Sequence, residues 1–159
     1  VGKWLAAGAV VLAVVGVLVY TGTQGQVSAV RTADMKYLAQ NKGKPGVITT
    51  ASGLQYSVIR EGSGPRPKAS DTVLVHYEGK LVDGTVFDSS YQRGQPAAFP
   101  LDQVIPGWTE GVQLMPVGAK YHFVVPPQLA YGAQGAGGVI PPGAVLEFDI
   151  ELLAARPAE

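Results

Sequence analysis

The chain has 159 residues, in which twelve basic side chains balance twelve acidic ones, and it contains no cysteine. This length accommodates one compact domain with a short appendage, because domains most often run to roughly 100–150 residues. A chain without net charge has no long-range field that would favour nucleic acid or an anionic membrane surface as a partner. Without cysteine there are no disulfide bonds, no thiolate nucleophile and no metal site built on cysteine.

The first segment of the chain is apolar and is interpreted as an export or membrane element. Lys3 precedes residues 5–20, which are uncharged and mostly apolar, and the polar residues 21–26 follow them. This run lies between the about 7–15 residues of a signal-peptide core and the about 20 residues that span a bilayer. We therefore expect residues 1–29 to be either a signal peptide that is cleaved after Ala29 or a membrane anchor. In both cases the basic end stays in the cytoplasm and the remainder is delivered outward.

Residues 30–52 are polar and are interpreted as a tether. Their pattern predicts a short helix from about Ala33 to Gln40, which Gly43 and Pro45 end. The globular domain is expected to follow over residues 53–155.

From Gly53 onward the apolar residues recur with a period of two, which is typical of strands with one buried face. The stretches LQYSVIREG and TVLVHYEGKL both alternate, and the dipeptide Asp83-Gly84 after the second is a strong hairpin signal. Near the C-terminus, acidic residues alternate with apolar ones, which are Leu146, Phe148, Ile150 and Leu152. These segments predict antiparallel strands with a core side and a water side.

After the tether, one segment, PGWTEGVQLMPVG, is predicted to be helical. Pro106 suits a first helical turn, and Trp108, Val112 and Met115 fall on one face. The apolar face of such a helix needs a sheet to cover it. The predicted fold is therefore α+β, with an antiparallel, strongly curved sheet of about five strands wrapped around one short helix and preceded by an N-terminal apolar helix.

The polar residues give weak support to hydrolytic, metal or nucleotide chemistry. His76 and His122 lie in strand-like runs without the spacing of a metal site, so no metal ligand is assigned. The glycine-rich residues 132–143 lack the Gly-Lys-Ser/Thr of a phosphate loop and are interpreted as a flexible flap. Glu78 and Asp88 are candidates for a glycosidase pair, but nothing in the sequence indicates that they face one cleft.

Three longer motifs carry a resemblance to a known family. They are VHYEGKLVDGTVFDSS, VIPGWTEGVQLMPVG and LAYGAQGAGGVIPPGAVLEFDIEL, and they occur in this order. Together they resemble the FKBP family of peptidyl-prolyl cis-trans isomerases over the whole globular part. The preceding stretch YLAQNKGKPGVITTASGLQYSVIREGSG is similar to the exported Gram-negative branch that includes macrophage infectivity potentiator. That branch carries a long helical dimerisation domain, for which residues 30–52 leave little room, so a monomer is expected.

The resemblance implies an apolar pocket that receives a proline residue. The residues that match catalytic positions are Tyr77, Phe87, Asp88, Tyr131 and Phe148. The residues that match substrate-binding positions are Arg93, Val104, Ile105, Trp108, Val139 and Ile140. Two positions depart from the family pattern: Ala97 stands where many members have a pocket Phe, with Phe99 two residues on, and Ala136 stands where well-known members have a flap His. These departures predict a changed macrolide affinity and substrate preference rather than lost catalysis.

By this resemblance the chain is a peptidyl-prolyl cis-trans isomerase that assists the folding of exported proteins. The pocket desolvates the Xaa-Pro amide and favours its twisted form, and no cofactor is implied. Asp88 is expected to accept a hydrogen bond from Tyr77 or Arg93. The Tyr131 hydroxyl and the Ile105 backbone N–H are expected to donate to substrate carbonyls.

The expected partners are unfolded polypeptides that contain proline, with macrolide inhibitors as further ligands and without nucleic acid. The expected location is the periplasm, either soluble after cleavage or tethered to the inner membrane through residues 5–20. Two alternatives belong to other classes: a periplasmic chaperone, and a ligand-binding module with little isomerase activity. A chaperone needs a second surface that holds clients, and the short tether offers little of one. A silent module is expected to lack Asp88, Tyr131 or Trp108, all of which are present.

Overall fold

The structure is a computed structural model that describes residues 24–136 and 139–157. The N-terminal apolar helix predicted for residues 5–20 lies outside the described residues. Within the described ranges, no helix is both long and apolar enough to cross a membrane.

A long helix, α1 (Gln24–Lys42), precedes the sheet. The sequence predicted only its C-terminal half, from about Ala33 to Gln40, because its contacts with the rest of the chain are polar and leave no apolar stripe to recognise. The Tyr37 hydroxyl donates to Glu147 Oε1 at 3.0 Å, and Asn41 Nδ2 donates to Gln55 Oε1 at 2.7 Å. The segment interpreted as a tether is therefore largely helical and docked on the sheet.

Within the described residues, seven strands form one sheet: β1 (Ile48–Thr49), β2 (Gln55–Arg60), β3 (Thr72–Leu81), β4 (Val86–Ser89), β5 (Ala97–Pro100), β6 (Lys120–Val125) and β7 (Leu146–Arg156). Their order is β1-β2-β6-β7-β3-β4, β5 pairs with β3, and each pairing is antiparallel. The predicted α+β class and antiparallel sheet are confirmed, but the expected number of about five strands was too low. β1 has two residues and β5 has four, so neither is long enough for alternation to reveal it.

The pairing of β3 with β7 positions most of the residues that the motifs singled out. Tyr77 lies opposite Ile150, and Gly79 lies opposite Phe148. Along β3, alternate residues are buried while their neighbours are partly exposed, as a sheet with one core face requires. The side chains of Tyr77 and Phe148 therefore enter the same apolar core.

A one-turn helix, α2 (Ser90–Arg93), follows β4 directly. The sequence indicated only one helix after the tether, and four residues are too few to show a helical period. Capping explains the turn: the Ser89 hydroxyl accepts a hydrogen bond from the Gln92 N–H at 3.3 Å, and Gly94 ends the helix with φ 78°. This turn carries Arg93 back towards the end of β4.

The predicted helix, α3 (Pro106–Val112), packs its apolar face on the sheet. Trp108 and Val112 are buried within it, and Met115 is buried just beyond its end. Gly111 allows the close approach to β6, because a Cβ atom there would lie 2.7 Å from Cε1 of Phe123. The helix thus brings the Trp108 ring against the buried face of the sheet.

Candidate active site

Trp108 forms the centre of a cluster of aromatic rings. Its side chain is 1% exposed, and three rings meet it edge-on at centroid distances of 5.2 to 5.5 Å and interplanar angles of 76° to 87°, those of Tyr77, Phe99 and Phe148. Edge-to-face packing of this kind is a favourable arrangement for aromatic pairs. Among the described side chains, the indole Nε1 is buried without a hydrogen-bond partner. The Trp108 ring is therefore enclosed by other aromatic rings.

Phe87 extends this cluster towards the surface. Its ring lies 5.7 Å from that of Phe148 at an interplanar angle of 89°, and it is only partly buried. The two rings meet above Gly79, where an added Cβ would lie 2.7 Å from both Phe148 Cε1 and Phe87 Cζ. A glycine at this position of β3 is thus required for the contact between the Phe87 and Phe148 rings.

Asp88 is the charged member of the site, and its carboxylate is held at both oxygens. The Tyr77 hydroxyl donates to Oδ2, and Arg93 Nη1 donates to Oδ1 at 2.5 Å. Arg93 Nη2 also donates to the Tyr77 hydroxyl at 2.9 Å, which closes a triangle of three side chains. The sequence expected one donor for Asp88, and the structure has both.

The environment keeps two tyrosine hydroxyls protonated. Burial raises the pKa of Tyr77, and the hydrogen bond to Asp88 raises it further against the opposing effect of Arg93. Burial likewise raises the pKa of Tyr131, and the negative charge of Asp88 adds to the effect. Both hydroxyls are therefore able to act as hydrogen-bond donors at neutral pH.

Of the remaining predicted residues, all but Val139 belong to the apolar cluster. Ile105 and Ile140 are buried, Val104 and Tyr131 are partly buried, and Val139 is 46% exposed. The flap is closed by a pair of hydrogen bonds between Ala136 and Ile140, at 2.9 and 3.0 Å.

Phe99 was named in the sequence analysis only as a neighbour of Ala97, yet its ring packs directly on Trp108. Both residues are on β5, and Ala97 is fully buried, with 0% exposure. The alternation Ala97, Ala98, Phe99 is too short to indicate which side chain enters the core. Only the pairing of Phe99 with Val73 on β3 settles it.

The two carboxylates of the candidate glycosidase pair, Glu78 and Asp88, do not face one cleft. Glu78 neighbours Tyr77 on β3, so its side chain points to the opposite face of the sheet from the ring that contacts Asp88. His76 Nδ1 lies 2.7 Å from Ser90 Oγ, and His122 Nδ1 lies 2.6 Å from Asp149 Oδ1. The glycosidase pair is therefore contradicted by the geometry.

Two family models match the sequence. The model described as FKBP-type peptidyl-prolyl cis-trans isomerase matches residues 64–153, which is more than half of the chain. The model described as the domain amino terminal to FKBP-type peptidyl-prolyl isomerase matches residues 20–58, a range that contains α1.

Individual relatives agree with these matches. FkpA of Aeromonas hydrophila is 65% identical over 119 residues, which are 75% of this chain and 44% of that protein. The outer membrane protein MIP of Legionella longbeachae is 51% identical over 122 residues, which are 77% of this chain and 52% of that protein. The chain thus spans about half the length of the curated relatives it matches.

The fold agrees with that of a solved relative. The crystal structure of FkpA from Escherichia coli superposes with a TM-score of 0.82 and 45% identity, covering 86% of this chain and 63% of that one. Sequence match, identity and fold together show that the chain belongs to the FKBP-type peptidyl-prolyl cis-trans isomerase family.

Proposed function

We propose that this chain catalyses the cis-trans isomerisation of Xaa-Pro peptide bonds in the pocket over Trp108. The observation that carries the proposal is the enclosure of the Trp108 ring by the edges of three other aromatic rings. An apolar aromatic setting of this kind suits the apolar ring of a proline residue. The proposed catalytic domain is residues 53–155.

The chemistry that such a pocket performs requires no bond to be made or cut. Rotation about an Xaa-Pro bond breaks amide resonance against a barrier of about 18–20 kcal/mol, so the isomers interconvert over about tens to hundreds of seconds. At the twisted transition state the amide is less dipolar than in its planar form. A dry apolar site therefore favours the twisted form over the planar one, and binding that is stronger in the transition state accelerates the step.

The roles proposed for the side chains follow from their surroundings. Trp108 lies beneath the proline ring, with the walls supplied by Tyr77, Phe87 and Phe148. Asp88 and Arg93 hold the Tyr77 ring in place through the triangle of hydrogen bonds and do not transfer protons.

Hydrogen bonds to the substrate backbone are proposed for two further groups. The Tyr131 hydroxyl, which burial keeps protonated, and the Ile105 backbone N–H donate to substrate carbonyls. Val104, Val139 and Ile140 contact the residues on either side of the proline. Ala97 and Ala136, which replace larger residues of other members, are proposed to alter substrate preference and macrolide affinity.

The proposed substrates are unfolded polypeptides that contain proline, and macrolides are proposed as inhibitors. The proposed site of action is the periplasm, in keeping with a relative that is named an outer membrane protein. Residues 1–29 remain assigned to export or anchoring. The expected monomeric state stays a prediction that sedimentation of the purified chain would test.

A protease-coupled assay on peptides with Leu or Phe before Pro tests the activity. We expect the chain to accelerate isomerisation equally with and without a metal chelator. Trp108→Ala is the matched variant, because loss of a buried Trp side chain costs about 3–5 kcal/mol and removes the pocket floor. A melting curve shows how much of that loss is stability.

Two results would contradict the proposal. One is full activity in a folded Trp108→Ala protein. The other is an inactive chain that nevertheless prevents aggregation of a client without proline, which would favour the chaperone alternative.

A further inference from the structure

Asp34 of α1 makes a contact with the loop that closes the pocket. Its carboxylate Oδ2 accepts a hydrogen bond from the Val145 backbone N–H at 2.8 Å, between residues 111 positions apart in the chain. Asp34 is 5% exposed and Val145 is fully buried. A buried carboxylate is unfavourable unless hydrogen bonds compensate for lost hydration, so this bond is what makes the position acceptable.

Val145 ends a short segment, residues 139–145, that we call the flap exit. Successive amides of the flap exit are tied to neighbouring backbone. Ile140 N–H donates to Ala136 at 3.0 Å, Gly143 N–H donates to Gly132 at 2.9 Å, and Ala144 N–H donates to Pro141 at 3.3 Å. All of these bonds lie within the loop itself, whereas the bond from Val145 anchors it to α1.

Beside this hydrogen bond, a gap lies between α1 and the flap exit. A cleft of about 370 Å³ separates them, lined by Ala33 and Asp34 on one side, by Pro141 and Ala144 on another, and by residues 81–83. The hydrogen bond from Val145 to Asp34 is a direct contact beside this cleft, and it ties the flap exit to α1.

The flap exit matters to the pocket because it contains Ile140. This side chain is 1% exposed and belongs to the same apolar cluster as Trp108 and Phe148. A shift at Val145 is transmitted to Ile140 through the short, internally bonded loop between them. Four residues, 141–144, thus join Ile140 to the amide that is bonded to Asp34.

We infer that Asp34 is a positioning residue for the isomerase site, whose carboxylate holds the flap exit and thereby sets the place of Ile140. The inference rests on the proposed function, since the effect it assigns is on isomerase activity. By this inference, α1 contributes to isomerase activity through the hydrogen bond between Asp34 and Val145.

The test compares three variants of the 159-residue chain in mild detergent. Asp34→Ala removes the acceptor, and Asp34→Asn retains an acceptor oxygen of similar shape. Tyr37→Phe is the matched control, because it removes the bond to Glu147 from the next turn of the same helix and leaves the flap exit untouched. Peptide isomerisation and hydrogen exchange at the Val145 amide are measured for each.

We expect Asp34→Ala to lower kcat/KM by about ten- to 150-fold, which corresponds to the loss of a hydrogen bond to a charged group. Its Val145 amide should exchange faster, while amides of β3 exchange as in the unaltered chain. Asp34→Asn should stay within about threefold of the unaltered chain, and Tyr37→Phe within about twofold.

Two results would overturn the inference. One is an Asp34→Ala protein with unchanged kcat/KM and unchanged exchange at Val145. The other is an equal loss in Tyr37→Phe, which would show that helix docking in general, and not Asp34, is responsible. If the unaltered chain has no isomerase activity, the proposed function fails, and the exchange measurement still decides whether Asp34 holds the flap exit.

Discussion

At the scale of single residues, Asp88 is proposed to support the site without acid chemistry. Both of its oxygens accept hydrogen bonds, and the two donors, Tyr77 and Arg93, also bond to each other. In this proposed role, the charged side chains of Asp88 and Arg93 hold the Tyr77 ring in one orientation. An Asp beside a Phe in the sequence is thus a structural support placed next to the surface that it supports.

Replacing Asp88 by Asn tests this role. Asn keeps one acceptor oxygen but loses the charge, so we expect a loss of about 1.5–3 kcal/mol, or ~10- to 150-fold in kcat/KM. Activity of the unaltered chain should be nearly flat between about pH 6 and 8, because Tyr77 and Tyr131 have pKa values raised above the ordinary value for tyrosine. Complete inactivity of a folded Asp88→Asn protein, or a solvent isotope effect well above unity, would restore proton transfer as its role.

Gly79 gives a second prediction at this scale. A Cβ atom at this position would lie 2.7 Å from both Phe87 and Phe148, and Phe87, which is only partly buried, is the ring with room to move. We expect Gly79→Ala to cost about 1–3 kcal/mol of stability by overpacking and to lower kcat/KM by displacing Phe87. Urea unfolding and the peptide assay measure the two effects.

The matched control is Gly43→Ala. An added Cβ there meets nothing closer than 3.8 Å, and Gly43 is not among the glycines with positive φ. We expect its stability to change by no more than about 1 kcal/mol, in the stabilising direction. Equal behaviour of the two variants would rule out the steric role of Gly79.

At the scale of elements, the sheet has a polar outer face that α1 partly covers. In register across three strands lie Gln55, Val124 and Glu147. Gln55 and Glu147 bond to α1, and Val124 between them is fully buried. The outer face of these strands is therefore a second packing surface and not a face in water.

His122 links this surface to a pH-dependent stability. Its pKa is raised to about 9, first by the hydrogen bond with Asp149 and then by that with Glu147. The neighbouring groups do not titrate near pH 9. The hydrogen bond with His122 lowers the pKa of Asp149, and a hydrogen bond with His122 also lowers the pKa of Glu147, although burial opposes this effect. Tyr37 has a pKa raised to about 12. Lys80 adds a further positive charge beside both carboxylates.

The raised pKa of His122 determines how the stability of the protein changes with pH. A pKa raised above the unfolded value of about 6.5 contributes stability that is fully present below about pH 6.5 and is lost as the pH rises through the folded value. We expect the melting temperature to fall between about pH 6.5 and 9, and the fall to be smaller in His122→Gln. Thermal melts of both proteins across this range measure it, and identical slopes would contradict the assignment.

The elements that the sequence predicted well are those whose signal is local. The α3 stripe and the alternation of β7 depend on residues a few positions apart, so a single pass along the chain reveals them. β1, β5 and α2 are too short to have a period, and α1 docks through polar side chains that resemble an exposed face. Their extent and contacts depend on which elements lie against them.

At the scale of the whole molecule, the sheet is packed on both faces by helices that differ in character. α3 contributes the apolar face that carries Trp108, while α1 donates hydrogen bonds from Tyr37 and Asn41 and accepts one at Asp34. The proposed pocket lies over Trp108 of α3, and the bond between Asp34 and Val145 joins α1 to the end of the flap. In the proposed enzyme, α3 therefore contributes to the site through apolar packing, and α1 contributes through a hydrogen bond.

The sequence by itself determined the fold class and the family resemblance, because motifs and periods are properties of neighbouring residues, and it supplied the prediction of the pocket residues. Only the tertiary structure decided three further points. Glu147 occurs in an alternation that predicts a water side, yet α1 covers it. Phe99 enters the aromatic cluster through its pairing on β3, and Asp34 meets Val145 from 111 positions away. These contacts depend on how distant elements pack, and no local pattern records that.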